Sequence, residues 1–303
     1  MKGFIGLTKR NLLIYFKDVQ SVIFSLLTSI IVFALYLLFI KGTFVDAIES
    51  AMVGLEEIIK ASDIEMFVNG VLLTGIMGSA MITVPYNCLN TIVKDRENKI
   101  DYDISATPMK RWQIISSYFL ASVISAFVMT AGILTIGLLV LSAMGETYLT
   151  AKSIFILYAI IVLGAVSATA FFMVVVMFFK SSSASGAFFG MLSAAAGFVI
   201  GAYIPVSQFS DNVQTVCNLF PASHITVLFR KNVLSGVLDA MNADINGLDE
   251  GLFTESIKSI YSFQANMFGD GISSNASTMY ILALALVSVI VMIVLYNKTY
   301  KRK

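Results

Sequence analysis

Apolar residues in this chain gather into six long runs separated by polar stretches, at 21–40, 67–93, 113–143, 153–179, 184–204 and 278–296. A helix rising about 1.5 Å per residue needs about 20 apolar residues to cross about 30 Å of hydrocarbon. All six runs qualify, and none contains Asp, Glu, Lys, Arg or His. The pattern predicts an all-α integral membrane protein of six transmembrane helices, forming a single transmembrane domain over residues 1–303. The third run is too long for a perpendicular crossing and is expected to tilt or to extend beyond the bilayer.

Three further stretches carry weaker helical patterns. Phe4, Leu7, Leu12, Tyr15 and Phe16 alternate with Lys9, Arg10 and Lys17. Residues 1–20 are therefore expected to form an amphipathic interfacial helix on the cytoplasmic leaflet. In the first outer loop, Val45, Ile48, Met52, Leu55 and Ile59 recur at helical spacing with acids between them. The segment 205–277 is too long for a structureless connector. Its apolar first half predicts one or two short re-entrant outer helices broken at Pro221, and its acidic second half a solvated cap.

Charge supplies the orientation. Lys2, Lys9, Arg10 and Lys17 precede the first run, and Lys94, Arg96, Lys99, Lys110 and Arg111 lie between the second and third. Lys180, Lys298, Lys301, Arg302 and Lys303 bring that side to 14 of the 20 basic residues. The opposite loops hold Asp46, Glu49, Glu56, Glu57, Asp63 and Glu65, then Asp239, Asp244, Asp249, Glu250 and Glu255. By the positive-inside rule both termini are cytoplasmic. The first run reads as a retained span rather than a cleavable signal, since it is long and no small-residue cleavage site follows it.

Composition agrees: 57% of residues are hydrophobic and 13% charged, about half the charged share of soluble domains. A net charge of +1 leaves no basic surplus for nucleic acid. Cys88 and Cys217 read as small buried hydrophobes rather than a disulfide pair. Missing motifs narrow function further. There is no phosphate-binding Gly-rich loop, and a single histidine, His224, excludes a histidine-rich zinc site. Phe268-Gly269-Asp270-Gly271 superficially resembles an intramembrane aspartyl protease signature, but its order is wrong and no second membrane-buried Asp exists. A carboxylate at mid-bilayer costs about 2.5–3.5 kcal/mol and is kept mainly for a task. Its absence from all six runs argues against ion coupling and places the energy source in a soluble partner.

The stretch 94–112 is the most informative. Arg96-Glu97 leaves the second run, Ile100, Tyr102 and Ile104 follow among charges, and Thr107-Pro108 leads to Arg111 at the opening of the third. This order resembles the coupling segment of the permeases of type-2 (ABC-2-like) ABC exporters. Where the family often has a glycine this chain has Lys99, and where it has two leucines this chain has Asp103-Ile104. Gly201-Ala202-Tyr203-Ile204-Pro205, then Asn218-Leu219-Phe220-Pro221, His224 and Arg230, resemble that family's fifth-helix exit and re-entrant outer helices.

The resemblance implies a plasma-membrane, multi-pass permease that is not itself an enzyme and binds no cofactor. A cytoplasmic ABC ATPase would supply ATP and Mg, and a second permease subunit, identical or not, would complete a dimer in membrane lipid. Arg96, Glu97, Ile100, Tyr102, Ile104, Pro108 and Arg111 would couple to the ATPase. Ile100, Tyr102 and Ile104 would enter a partner groove, and Arg96 and Glu97 would set the angle by ion pairing. In the family, helices two and five face the central cavity. By that analogy Met77, Met81, Tyr86, Asn87, Phe189, Phe198 and Tyr203 are candidates for a translocation path.

Gly186, Gly190 and Ala194, then Gly197 and Gly201, give helix five a small-residue repeat. Packing within the subunit is the favoured reading, ahead of a subunit interface or a path. Pro85 is expected to kink helix two, as a static bend more than a hinge. His224 reads as a structural polar residue rather than a gate. The expected cargo is hydrophobic or amphipathic: a drug, toxin, antimicrobial peptide or lipid. The competing class is an ion-coupled secondary transporter needing no ATPase.

Overall fold

A computed structural model describes residues 2–51, 58–246 and 249–299. Thirteen helices are described: α1 (Lys2–Lys17), α2 (Val19–Leu35), α3 (Lys41–Ala51), α4 (Ala61–Cys88), α5 (Asn90–Glu97), α6 (Ile100–Ala106), α7 (Arg111–Met144), α8 (Ala151–Val176), α9 (Ser182–Val199), α10 (Asp211–Asn218), α11 (Pro221–Ile245), α12 (Leu252–Ile260) and α13 (Ser274–Thr299). Six stretches are long and apolar enough to cross a membrane: Val19–Ile48, Ala61–Glu97, Arg111–Met144, Ala151–Val176, Ser182–Val199 and Ser274–Lys298. These are the six expected spans with different ends. The helices run past their apolar centres, so the second takes in Asp63, Glu65, Lys94 and Asp95. Asp63 lies in the first turn of α4, where a carboxylate suits the positive end of the helix dipole.

The helical pattern expected after the first run is present over its described part, α3. α2 continues into α3 through one π-helical turn, Tyr36–Ile40, so Phe44, Val45 and Ile48 belong to the first rod. Met52, Leu55, Glu56 and Glu57 lie outside the described residues, as do Lys301, Arg302 and Lys303 of the tail. A ring cluster holds this rod in place. Phe44 meets Tyr36 and Tyr261 edge-on at 6.0 and 5.4 Å, and Tyr261 meets Phe67 at 5.2 Å. The Tyr261 hydroxyl donates to the Phe44 carbonyl (2.8 Å) and that of Tyr36 to the Val68 carbonyl (2.6 Å).

In the segment after α9 the helices divide at Pro221, as expected: α10 ends at Asn218 and Pro221 opens α11, as suits a residue with fixed φ and no N–H to satisfy. That helix, α11, is 25 residues long, not short. It packs antiparallel along α4, where a Cβ at Gly78 would lie 2.1 Å from Thr226 and one at Gly70 2.5 Å from Leu234. A side chain at either glycine would have to displace Thr226 or Leu234. Nor is the second half merely a solvated cap. α12 buries Phe253 and Ile257, and a hairpin follows: β1 (Ala265–Met267) pairs antiparallel with β2 (Asp270–Ile272). The fold is therefore not strictly all-α. Phe268 (φ 57°) and Gly269 (φ 87°) make the two-residue turn; two consecutive positive φ values match the twist of flanking strands. The protease-like tetrapeptide is this turn.

α1 lies against α7, burying Leu7, Thr8, Asn11 and Tyr15 and leaving Ile5, Leu13 and Phe16 exposed. Pro85 sits inside α4, and the helix is interrupted one turn later at Leu89. Cys88 and Cys217 are both free and buried.

Candidate functional site

The stretch 94–112 folds as a short helix on a clamped base. α5 ends at Glu97, two residues reverse the chain, and α6 follows. Lys99 takes a left-handed conformation, φ 62° and ψ 13°. Glycine adopts this geometry freely, whereas a side chain strains it by about 1–2 kcal/mol, which accounts for the glycine common in the resembling family. Lys99→Gly is expected to raise stability by up to about 1 kcal/mol, read as a higher denaturation midpoint of the detergent-solubilised chain; a lower midpoint would contradict the strain argument. α6 ends where Thr107 turns extended (φ −68°, ψ 159°) ahead of Pro108. The Thr107 hydroxyl donates to the Ile104 carbonyl (2.6 Å), and the Gln113 side chain accepts from the Lys110 N–H (2.9 Å) to start α7.

Arg96 and Glu97 cap helix ends. The Arg96 guanidinium donates to the carbonyls of Met177 (2.9 Å) and Phe179 (2.5 Å), just past the end of α8. The Glu97 carboxylate accepts from the Ser182 N–H that opens α9 (3.1 Å). Arg111 likewise donates to the Asn297 carbonyl near the end of α13 (3.1 Å). Arginine suits carbonyls at the negative end of a helix.

One residue that sequence reasoning passed over sits at the centre of this base. Asp95 is buried and receives both arms of Arg10 from α1, at 2.6 and 2.8 Å, together with the Tyr118 hydroxyl from α7 at 2.5 Å. The hydrogen bond to Asp95 raises the Arg10 pKa, with burial opposing it. Beside it, Lys94 meets Asp18 at 2.5 Å, while Asp18 caps α2 through the Ser21 N–H (3.1 Å). Burial opposes ionisation of Asp18, yet these partners hold its pKa down at about 2. The missed signal was Asp95 itself: an acid two residues past the second apolar run, flanked by Lys94 and Arg96.

α6 itself buries no residue. Tyr102 is 70% exposed, whereas Ile104 packs against the chain's own core. Ile100 and Ile104 share one helix face and Tyr102 lies on the other, so the three do not enter one groove together.

The path candidates divide. Met77, Met81 and Tyr86 are essentially inaccessible, and Asn87 is buried. Met81 lies against Gly164 of α8. Tyr86 hydrogen-bonds Ser185 (3.0 Å to Oγ) and stacks on Phe189 at 5.7 Å, while Asn87 donates to the Ser21 carbonyl (2.7 Å) and Ser25 (2.9 Å). These four are interior packing that joins α4 to its neighbours. Phe198 is exposed and meets Tyr203 edge-on at 5.1 Å. The small-residue stripe divides too. Gly197 and Gly201 are packed within the chain, against Tyr203 and Val206, but Gly186, Gly190 and Ala194 are exposed, with nothing within 4 Å of a Cβ at either glycine. Internal packing therefore explains only the last two of the five.

At the opposite end, Arg230 of α11 is 2% exposed and joins two helix ends. It donates to the carbonyls of Tyr261 and Ser262 beyond α12 (2.7 and 3.3 Å) and to those of Ile200 and Gly201 beyond α9 (3.2 Å each). His224 is wholly buried, between Ser277 (3.1 Å) and the Asn218 carbonyl (2.8 Å). Burial lowers its pKa, which suits a neutral structural tie between α10, α11 and α13.

Residues 43–297 match the family model described as ABC-2 family transporter protein, and the chain belongs to that family. No curated protein matches it.

Proposed function

We propose that this ABC-2 family chain is the membrane half of an ATP-driven exporter, which moves a hydrophobic or amphipathic compound out of the cytoplasm. Family membership supports a permease and a transport subunit rather than an enzyme, and it does not favour an ion-coupled carrier. The carrying observation is α6: a helix presenting an exposed Tyr102, on a base where Asp95, Arg96, Glu97 and Arg111 reach α1, α7, α8, α9 and α13. A load applied to such a helix reaches five others without passing through a flexible loop.

In this reading α6 faces the cytoplasm and docks on an ABC ATPase, which binds ATP and Mg. Both termini are cytoplasmic, α1 rides the leaflet through Ile5, Leu13 and Phe16, and α10 and α11 re-enter the bilayer from outside. The open stripe of Gly186, Gly190 and Ala194 supports a second permease subunit or the path at that face of α9.

Tyr102 is the residue to test. Replacing Ile104 with Asp would also uncouple transport, but Ile104 packs on its own subunit, so that loss would report on folding as well. Tyr102→Ala is expected to reduce ATP-dependent transport in vesicles holding the chain and its ATPase about tenfold, the loss of a buried aromatic anchor. Insertion and stability should stay unchanged. Full transport by the variant would overturn the docking role.

A further inference from the structure

At the end of the bundle remote from α6, an apolar groove of about 450 Å³ runs between α2, α4 and α7, walled by Ile30, Phe33, Leu72, Ile136 and Val140. Asn69 and Met144 line this groove and also a second cavity of about 320 Å³. There the walls turn polar, with Lys60, Asp63, Glu65, Glu146 and Tyr148. Two of these charges are already matched: Lys60 pairs with Asp244 at 3.2 Å and Glu65 with Lys41 at 3.5 Å. Asp63 and Glu146 have no such partner among the described residues, so the pocket keeps a double negative charge.

Asp63 is the unusual member. It is 4% exposed, its Oδ1 accepts from the Tyr148 hydroxyl (3.0 Å), and its Oδ2 has no partner. A buried carboxylate oxygen left unmatched is unfavourable, and a cation arriving from outside the chain would relieve it. Tyr148 is held in place by a backbone that a bulky residue rarely adopts, φ 53°. Its carbonyl lies only 2.6 Å from where a Cβ at Gly236 of α11 would stand. Non-glycine residues in such strained geometry cluster at ligand sites. Burial, then Asp63, with Glu146 and Asp244 beyond, pushes the Tyr148 hydroxyl pKa up to about 12, consistent with a negative potential in the pocket.

We propose that groove and pocket form one site for a cationic amphiphile, its apolar chain between α2, α4 and α7 and its ammonium head against Asp63 and Glu146. A concave apolar cleft with a few converging polar groups is the usual form of a small-molecule site, and here the sign of those groups selects the ligand. As a class of cargo the inference rests on the exporter reading; as a binding site it requires only this chain.

The test is binding of radiolabelled dodecyltrimethylammonium to the full chain in nanodiscs of the uncharged lipid digalactosyldiacylglycerol, which has no ammonium head to compete, with empty discs subtracted. Saturable binding at one site per chain is expected, with dodecyl sulfate failing to compete. Asp63→Asn should weaken binding about tenfold and Glu146→Gln about threefold, through loss of charge complementarity. Val140→Trp should abolish it by filling the groove from a position 52% exposed. Because Glu146 is exposed, its variant reads the pocket even if Asp63→Asn unfolds. Binding no greater than in empty discs, equal competition by dodecyl sulfate, or unchanged affinity in both acid variants would overturn the site. No ATPase is present in the assay, so its failure leaves the Tyr102 test standing, and failure there leaves this site standing.

Discussion

Arg230→Met is expected to destabilise the detergent-solubilised chain by at least about 3 kcal/mol. The substitution removes the guanidinium that four carbonyls share and leaves those acceptors buried without donors. The damage should be local before it is global. α12 is held through Tyr261 and Ser262, so its amides should lose protection from hydrogen exchange while those of α2 and α4 keep theirs. Arg230→Lys should fall between the two, because an ammonium keeps the charge but cannot present a planar fork to two helix ends. Denaturant unfolding read against exchange at residues 252–260 would decide it. A methionine variant within about 0.5 kcal/mol of the parent would mean that the carbonyls find water instead.

The second large effect belongs to Asp95. Asp95→Ala strands the buried Tyr118 hydroxyl and releases Arg10, and should cost about 2–3 kcal/mol. Asp95 is the buried partner and would be left as an unpaired carboxylate, so Arg10→Met should cost at least as much, about 3 kcal/mol, although Arg10 itself is partly exposed. A double-mutant cycle over the pair is expected to return a coupling energy above about 1 kcal/mol, since the two side chains share a bidentate contact. Additive effects would show that α1 is held by Leu7 and Tyr15 alone. With the ATPase present, Asp95→Ala should also lower transport per ATP hydrolysed, because α1 and α7 lose their shared tie to the base of α6.

What could be read from the sequence was whatever has a period or a length. The six spans followed from run length, and the end of α6 from Thr107-Pro108. The Lys99 departure carried more than it first showed, since the residue sits where backbone geometry favours glycine. What could not be read depends on pairing across the chain. Met77, Met81, Tyr86 and Asn87 sit on a helix of suitable composition, and only the packing of α8, α9 and α11 around α4 shows that they face inward. Arg96 and Glu97 are adjacent in sequence and opposite in charge, a pattern that suggests ion pairing; their capping of α8 and α9 depends on helices about 80 residues away. The groove between α2, α4 and α7 is less legible still, because Ile136 and Val140 look like any lipid-facing residues until Asp63 is seen at its end.

The double cap made by Arg96 and Glu97 sets where this chain tolerates added length. Residues 177–182 are fastened at both ends to consecutive positions of one helix, so an epitope tag or reporter inserted there would have to detach one of them. The tip at Phe268 is 81% exposed and its two-residue turn joins two short strands, which makes it the better place to carry such a tag when the sidedness of the protein in living cells is mapped.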